Sequence, residues 1–393
     1  MKKIFSVPLL IVLLFVTITF TIIFISCDQA PIFYNISIAP PKKDPLIPGS
    51  PTNIIHHGNA LYTGSKFDNR IFHNTGGKWQ QIKRPGGSLL NLASDGTYLY
   101  ALTYKGDVMK STSVRRFDGT NWEAFQFPGY SMQTIYGAGD RIFVGAKQNN
   151  ANNYAILEVI VKIVDSNEVH ALRMIKPNTS LLRGAVEVSP DKYFLATSGD
   201  GILEYDYDEN PDEPELVEGT ASAIVLGIIK TADTGVIIAV ISNTSGQGGL
   251  YVYNGTDEFE RTISSSTNFT GAMGVFKEFD DVANTWNPSL LLLGVRGDNN
   301  KGYREIWLNT DGTITDPSPS PIIKTPGDNK TKSSVSSRVK YDASIAKHSV
   351  EAIIQGPWEI FDPGKTGITL PLFASTIDGG LWSYRGEWNA EEK

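Results

Sequence analysis

The fold is decided by a short stretch, Leu195-Ala196-Thr197-Ser198-Gly199-Asp200-Gly201-Ile202-Leu203-Glu204-Tyr205. Apolar runs stand on both sides of Asp200-Gly201. An Asp-Gly pair between such runs is the strongest short signal for a β-hairpin, because the tight turn needs a positive φ. The same arrangement recurs from Phe373 to Tyr384, with Asp378-Gly379 at the equivalent turn. The sequence therefore predicts an antiparallel hairpin that the chain repeats.

Further out along the chain, two apolar residues followed by a small or apolar residue recur seven times. These runs are Leu61-Tyr62-Thr63, Leu99-Tyr100-Ala101, Ile142-Phe143-Val144, Phe194-Leu195-Ala196, Ile237-Ile238-Ala239, Leu291-Leu292-Leu293 and Leu372-Phe373-Ala374. Repeats of about 40–55 residues with three or four short strands each are typical of β-propeller blades. The pattern predicts an all-β chain folded as a seven-bladed β-propeller. Six or eight blades, a sandwich and a two-domain β protein are the alternatives.

The propeller is expected to occupy residues 53–393, with an insertion near 309–340 where the repeat interval lengthens. The preceding segment, 27–52, is rich in proline and is expected to be an extended tether. Within it, Ile32–Ile38 alternates as a single strand does. The last repeat ends soon after Trp388, which leaves its outermost strand short or missing. We therefore expect the N-terminal strand at 32–38 to complete the last blade.

The N-terminus has the composition of an export signal. Met1-Lys2-Lys3 is basic, and Ile4–Ser26 is a run of 23 uncharged, mostly apolar residues. A basic start, an apolar core and a small residue before a cleavage site define a signal peptide, which predicts residues 1–26 as the removed segment. The run is also long enough to span a bilayer, so an uncleaved N-terminal membrane anchor is the alternative.

The single cysteine of the chain, Cys27, directly follows that segment. Phe24-Ile25-Ser26-Cys27 resembles the lipobox of bacterial lipoproteins, and the whole pattern is similar to that of bacterial β-propeller lipoproteins. The resemblance implies that Cys27 is the lipid attachment site, acylated on sulfur and exposed as residue one after cleavage. It also implies an exported protein that is lipid-anchored to the bacterial cell membrane or the outer membrane. Several acyl chains on one residue give stable anchoring.

Composition excludes several classes of function. The formal net charge is −7, which argues against a nucleic-acid partner, because such proteins carry basic stripes. One cysteine excludes an internal disulfide framework and multi-cysteine zinc sites. The sequence contains no GxSxG, HExxH, P-loop or GxGxxG motif. We therefore expect no catalytic residues, no cofactor and no metal.

Two short segments resemble metal ligands only superficially. His56 and His57 are adjacent, and neighbouring residues on a strand point to opposite faces, so the two cannot form one site unaided. Asp206–Glu213 places oxygen ligands at alternate positions, as calcium loops do. Pro211 stands where the loop needs glycine, however, and Val217 replaces the bidentate glutamate. A solvated acidic loop is the expected structure.

Ser375–Trp382 is similar to the S-x-D-x-G-x-T-W boxes of sialidase-like glycosidases, with one extra residue between Ser375 and Asp378. That resemblance implies a cluster of arginines that clamps a carboxylate. Five aromatic residues, Trp79, Trp122, Tyr251, Tyr253 and Trp388, are candidates for carbohydrate stacking, although packing between blades is the favoured explanation.

The sequence thus predicts a membrane-anchored exported lipoprotein whose propeller is a non-catalytic platform that binds a protein or glycan partner of the cell envelope. An exported propeller glycosidase of the sialidase-like type is the alternative, and a purely structural protein of the cell envelope is a third possibility. Convergence of three arginines and a carboxylate on one pocket would distinguish the first two.

Overall fold

The computed structural model describes residues 46–47, 50–66, 69–106, 112–164, 167–208, 213–232, 234–265, 268–277, 279–280, 285–286, 289–296, 302–308, 313–315, 345, 348–358, 360–361, 368–377, 379–384 and 388–391. All of them belong to one compact unit, Pro45–Glu392. Its regular structure is almost entirely β, with one 3₁₀ turn at Asn243–Ser245 among the described residues.

Seven four-stranded antiparallel sheets make up the fold, and each is one blade. Blade 1 contains Ile55–His57, Ala60–Gly64, Ile71–Asn74 and Gln80–Gln81; blade 2 contains Ser88–Ser94, Leu99–Tyr104, Thr112–Phe117 and Trp122–Phe125. Blade 3 contains Tyr130–Ala138, Arg141–Gln148, Tyr154–Val164 and Asn167–Thr179; blade 4 contains Leu182–Ser189, Lys192–Thr197, Ile202–Asp206 and Glu215–Leu216.

Blade 5 contains Val225–Lys230, Ile237–Ile241, Gly249–Tyr253 and Phe259–Ser264. Blade 6 contains Phe269–Phe276, Leu290–Val295, Gly302–Leu308 and Ile314–Thr315; blade 7 contains Val350–Gln355, Leu372–Thr376, Gly380–Tyr384 and Trp388–Ala390. Two short ribbons, Phe279–Asp280 with Thr285–Trp286 and Ile360–Phe361 with Ile368–Thr369, extend the connections after the first strands of blades 6 and 7.

The seven blades form a ring, so the predicted seven-bladed β-propeller is confirmed. All seven apolar runs singled out in the sequence are the second strands of their blades. A second strand is covered on both faces by neighbouring blades, which is why its residues are continuously apolar rather than alternating. Phe194, Leu195 and Ala196, for example, are all fully buried.

The two hairpins with similar sequences also share their turn geometry. The Thr197 hydroxyl donates to Gly201 O (2.8 Å) and accepts from Asp200 N (3.0 Å). Thr376 does the same with Gly380 O and Gly379 N. The positive φ falls on Gly201 and on Gly380 (84° and 80°), so in blade 7 the left-handed residue is one position later than the Asp378-Gly379 pair suggested.

At the hub, the first strands of adjacent blades approach closely because glycines leave room. A Cβ added to Gly137 would lie 2.0 Å from the carbonyl oxygen of Ser94, and one on Gly227 would lie 2.3 Å from that of Gly271. Real Cβ atoms do not come this near to backbone, so only glycine permits the observed spacing.

The ring closes between blades 7 and 1, where residues just before blade 1 are buried. The amide of Leu46 donates to Glu391 O at 2.9 Å, beside the last strand. Ile47 is fully buried in the cluster that joins Trp79 of blade 1 to Phe373 of blade 7. The hydroxyl of Ser50 donates to the carbonyl of Ile377. The N-terminal segment therefore ties the first blade to the last.

Two predictions about organisation fall mainly on residues that are not described. The strand expected at 32–38 lies outside them, and the described part of blade 7 has its fourth strand at Trp388–Ala390. Of the insertion expected near 309–340, only Thr313–Thr315 is described. Ile314 and Thr315 form the fourth strand of blade 6.

Candidate functional site

The central channel is one candidate binding site, and it is built by the first strands of blades 1 and 3–7. Its cavity volume is about 600 Å³, within the range of ordinary ligand sites. Glycines and alanines make up much of the wall. A strand at the inner edge of a blade also directs backbone N–H and C=O groups toward the axis, so main-chain groups line the channel.

Among the described residues, three cationic side chains and one carboxylate line this channel: Arg183, Lys230, Lys277 and Glu351. Glu351 is not alone, because Arg296 lies 3.4 Å from its Oε1. Arg183 is exposed and makes no hydrogen bond or ion pair with another described residue. The channel is thus basic in a chain whose net charge is −7.

Polar contacts connect three blades at this channel. The side-chain oxygen of Gln355 in blade 7 accepts from Lys277 N (2.9 Å), and its amide nitrogen donates to Lys277 O (2.7 Å). His56 of blade 1 is open to the channel, yet burial by the surrounding protein lowers its pKa, against the opposing effect of its hydrogen bond to the Gln355 backbone. His56 is therefore neutral near pH 7.

A second polar cluster lies between blades 3 and 4, away from the channel. The carboxylate of Glu158 is fully buried and binds Arg141 Nη1 (2.5 Å) and Arg173 Nη2 (2.6 Å). The hydroxyl of Tyr205 donates to the same carboxylate at 3.2 Å. Both guanidinium groups also lie over the ring of Tyr207, at 3.7 and 5.4 Å from its centroid.

This cluster brings two arginines together on one buried carboxylate. It contains two arginines rather than the three that the sialidase-like alternative needs, and both bind Glu158 itself. Burial alone lowers the pKa of Arg141, but its hydrogen bond to Glu158 and the charge of that carboxylate outweigh burial and raise the pKa. The positive charge of Arg141 is balanced by the Glu158 carboxylate, and this ion pair contributes to packing between blades 3 and 4.

The sialidase-like box contributes the last two residues of the second strand of blade 7 and the first three of the third. Ser375 and Thr376 are buried, and Trp382 is 8 % exposed. Trp382 lies in the apolar cluster shared with blade 6, next to residues such as Tyr303. These side chains contribute to packing between blades. Asp378 lies outside the described residues.

The adjacent histidines separate as expected for a strand. His57 Nδ1 is 2.8 Å from the hydroxyl of Ser94, whereas His56 borders the channel. In the acidic loop, Asp206 Oδ1 accepts from the Asp208 amide, and residues 209–212 are not described. Within the described residues, no group of three His, Cys, Asp or Glu side chains could hold a metal ion.

The five aromatic candidates lie in the packing between blades or against their own blade. Trp79 meets Phe373 edge to face at 5.4 Å, and Trp388 donates from Nε1 to the Tyr303 hydroxyl at 3.1 Å. Trp122 stacks on Phe117 at 4.8 Å. Tyr251 is buried, and Tyr253 meets Phe194 of blade 4 at 4.8 Å.

The outer half of blade 3 is a second candidate binding site, and the sequence analysis missed it. Its last two strands have 11 and 13 residues, whereas the outermost strands of the other blades have two to six. Near the tip, Val161, Ile163 and Val169 are 53, 68 and 39 % exposed. These are three of the six large apolar side chains exposed in the described part of the chain. We call the exposed side chains of Val161, Ile163 and Val169 the apolar hairpin tip.

A sequence signal for this hairpin exists. Six of the ten residues 155–164 are β-branched and only Glu158 and Lys162 are charged, which is typical of one long strand. The register places Val161 opposite His170 and Ile163 opposite Glu168, on the face toward blade 2, where Arg116 contacts His170. Val169 pairs with Lys162 on the other face. Each face of the tip therefore carries exposed aliphatic side chains beside a charged residue, Glu168 on one face and Lys162 on the other.

The predicted lipid attachment site, Cys27, and the predicted segment 1–26 lie outside the described residues. Among the residues that are described, no helix has the length and apolar character needed to cross a bilayer.

Fold and channel together define the chain as a seven-bladed β-propeller. No family model matches it, and no curated protein matches its sequence. Among solved structures it is similar to YCF48 from Cyanidioschyzon merolae, at 13 % identity and a TM-score of 0.47, over 88 % of this chain and 98 % of that one. It is also similar to Saccharomyces cerevisiae Sqt1, at 12 % identity and a TM-score of 0.47, over 89 % and 86 %. YCF48 bound to D1 peptide aligns at 12 % identity and a TM-score of 0.46, over 88 % and 97 %.

Proposed function

We propose that this protein is an exported lipoprotein, anchored through Cys27, whose propeller binds another protein of the cell envelope without chemically altering it. The apolar hairpin tip carries the binding part of this proposal. Exposed aliphatic side chains on a strand that projects beyond its neighbours mark an interaction surface.

A protein fits this surface better than a glycan does. The outermost strand of blade 3 has a long edge, and an extended segment can add to it through main-chain hydrogen bonds. Val161, Ile163 and Val169 offer aliphatic contacts, whereas sugars present mainly hydroxyl groups. The partner is thus expected to contribute an extended segment with apolar side chains.

The anchoring part rests on the position of Cys27 after an uncharged run of 23 residues. Metabolic labelling with a palmitate analogue tests it. The label should appear on the full-length chain and be lost in Cys27→Ala. Labelling that persists in this variant rejects lipidation at Cys27.

Photo-crosslinking in intact cells tests the binding part. A photoreactive residue at Ile163 should yield an adduct in which the partner's crosslinked peptide is one extended segment. The same residue at Leu216, which is 50 % exposed on blade 4, is the matched control and should not give that adduct. Purified partner should then bind Val161→Asp/Ile163→Asp at least tenfold more weakly. Equal binding to this variant refutes the hairpin tip as the docking surface.

A further inference from the structure

We infer that the central channel binds carboxylate groups, and that its ligand is an acidic polypeptide segment. The inference goes beyond the proposed docking at the hairpin tip and concerns a different site. Three features of the channel support it: its positive charge, the exposed Arg183 side chain that has no partner among the described residues, and its main-chain lining.

The charge of the channel opposes that of the chain. Three cations and one carboxylate line it, while the whole chain carries −7. The carboxylate, Glu351, already has Arg296 beside it at 3.4 Å. Low-dielectric walls concentrate such a field, so that an anion is attracted to the channel from solution.

The cations are placed at both ends of the channel. Each blade has four antiparallel strands, so all first strands start at one face of the ring and end at the other. Lys230 is the last residue of its strand, and Lys277 directly follows the next one. Arg183 is the second residue of its strand, near the opposite mouth. A ligand that spans the channel meets a cation near each mouth, with Glu351, also the second residue of its strand, on the same side as Arg183.

Arg183 is the clearest recognition group. Its side chain is exposed to the channel and has no hydrogen bond or ion pair with another described residue. A guanidinium presents a planar set of donors that matches the two oxygens of a carboxylate. Arg141 and Arg173, in the polar cluster between blades 3 and 4, are by contrast already bound to Glu158.

The lining favours a polypeptide over an acidic glycan. Inner strand edges offer main-chain N–H and C=O groups, which complement the backbone of an extended peptide. Tyr136 is the only Phe, Tyr or Trp among the described residues that line the channel, so the surfaces on which sugar rings stack are scarce.

The test measures binding of fluorescein-labelled octa-glutamate to the full-length chain in detergent, by fluorescence anisotropy. Binding is expected to weaken as NaCl rises, and Arg183→Gln and Lys230→Gln are each expected to weaken it about tenfold. Lys162→Gln, which removes an exposed cation from the hairpin tip, is the matched control and should bind normally. Thermal unfolding of each variant verifies that it is folded.

Three results would overturn the inference: unchanged affinity in folded Arg183→Gln, equal binding of octa-glutamine, or binding of polygalacturonate but not octa-glutamate. These results are distinguishable from failure of the proposed function. If the channel does not bind octa-glutamate but crosslinking at Ile163 is intact, only the inference about the channel is refuted. If the channel binds octa-glutamate but no adduct forms at Ile163, only the proposed docking at the hairpin tip is refuted.

Discussion

Replacing Glu158 with alanine should destabilise the propeller more than removing any exposed carboxylate. Its fully buried carboxylate is bound by two guanidinium groups at 2.5 and 2.6 Å and by one tyrosine hydroxyl. Removal of one partner from a buried ion pair costs about 3–5 kcal/mol, because the remaining charge is left unpaired. Arg141 and Arg173 are 18 and 29 % exposed, so water partly solvates them, and Arg141 keeps its ion pair with Asp191 at 3.2 Å; we therefore expect a loss of about 3 kcal/mol.

Urea unfolding followed by tryptophan fluorescence measures this free energy. Glu204→Ala is the matched control, because Glu204 pairs with Lys192 at 2.8 Å but both side chains are about 30 % exposed. Exposed pairs contribute about 0–1 kcal/mol. A loss below about 1 kcal/mol in Glu158→Ala, or one no larger than in Glu204→Ala, would refute the argument that the buried cluster holds blades 3 and 4 together.

Three further predictions concern the hub, the closure and pH. Gly137→Ala should lower the free energy of unfolding in urea by at least about 2 kcal/mol, because the added Cβ would meet the Ser94 carbonyl. Gly77→Ala is the control and should be nearly neutral, because its Cβ would meet nothing within 4 Å. Equal effects of the two substitutions would contradict close packing at the hub. Ile47→Ala should cost about 2–4 kcal/mol, since Ile47 is fully buried at the closure. Deletion of 28–38 in the same assay tests the predicted closing strand, and unchanged unfolding would count against that strand but not against Ile47. The free energy of unfolding should fall as pH decreases below 6.5. In the folded state the pKa values of His56, His57 and His170 are lowered, mainly by burial. The unfolded chain therefore binds protons at a higher pH than the folded chain does, which favours unfolding as the pH falls. His170→Asn should flatten this dependence, and an unchanged slope would show that His170 does not contribute.

The architecture was predictable because one strand in each blade is buried on both faces. Such strands are continuously apolar, and this pattern can be recognised in a single sequence. Phe194-Leu195-Ala196 is an example. The turn residues were predictable to within one position, since a positive φ selects glycine but does not decide between Gly379 and Gly380.

The sites were less predictable, for a physical reason. Arg141, Glu158 and Arg173 meet because the register pairs Glu158 with Arg173 and the next blade covers them; spacing along the chain reveals neither fact. The exposure of Val161 and Ile163 depends on how far their hairpin extends beyond blade 2. The β-branched residues of 155–164 indicate a long strand, but they do not show that the end of this strand is left uncovered.

The burial of Ile47 at the junction of blades 7 and 1 has a mechanical consequence. Any pull on the N-terminus is transmitted through Leu46 to the one junction where the two ends of the ring meet.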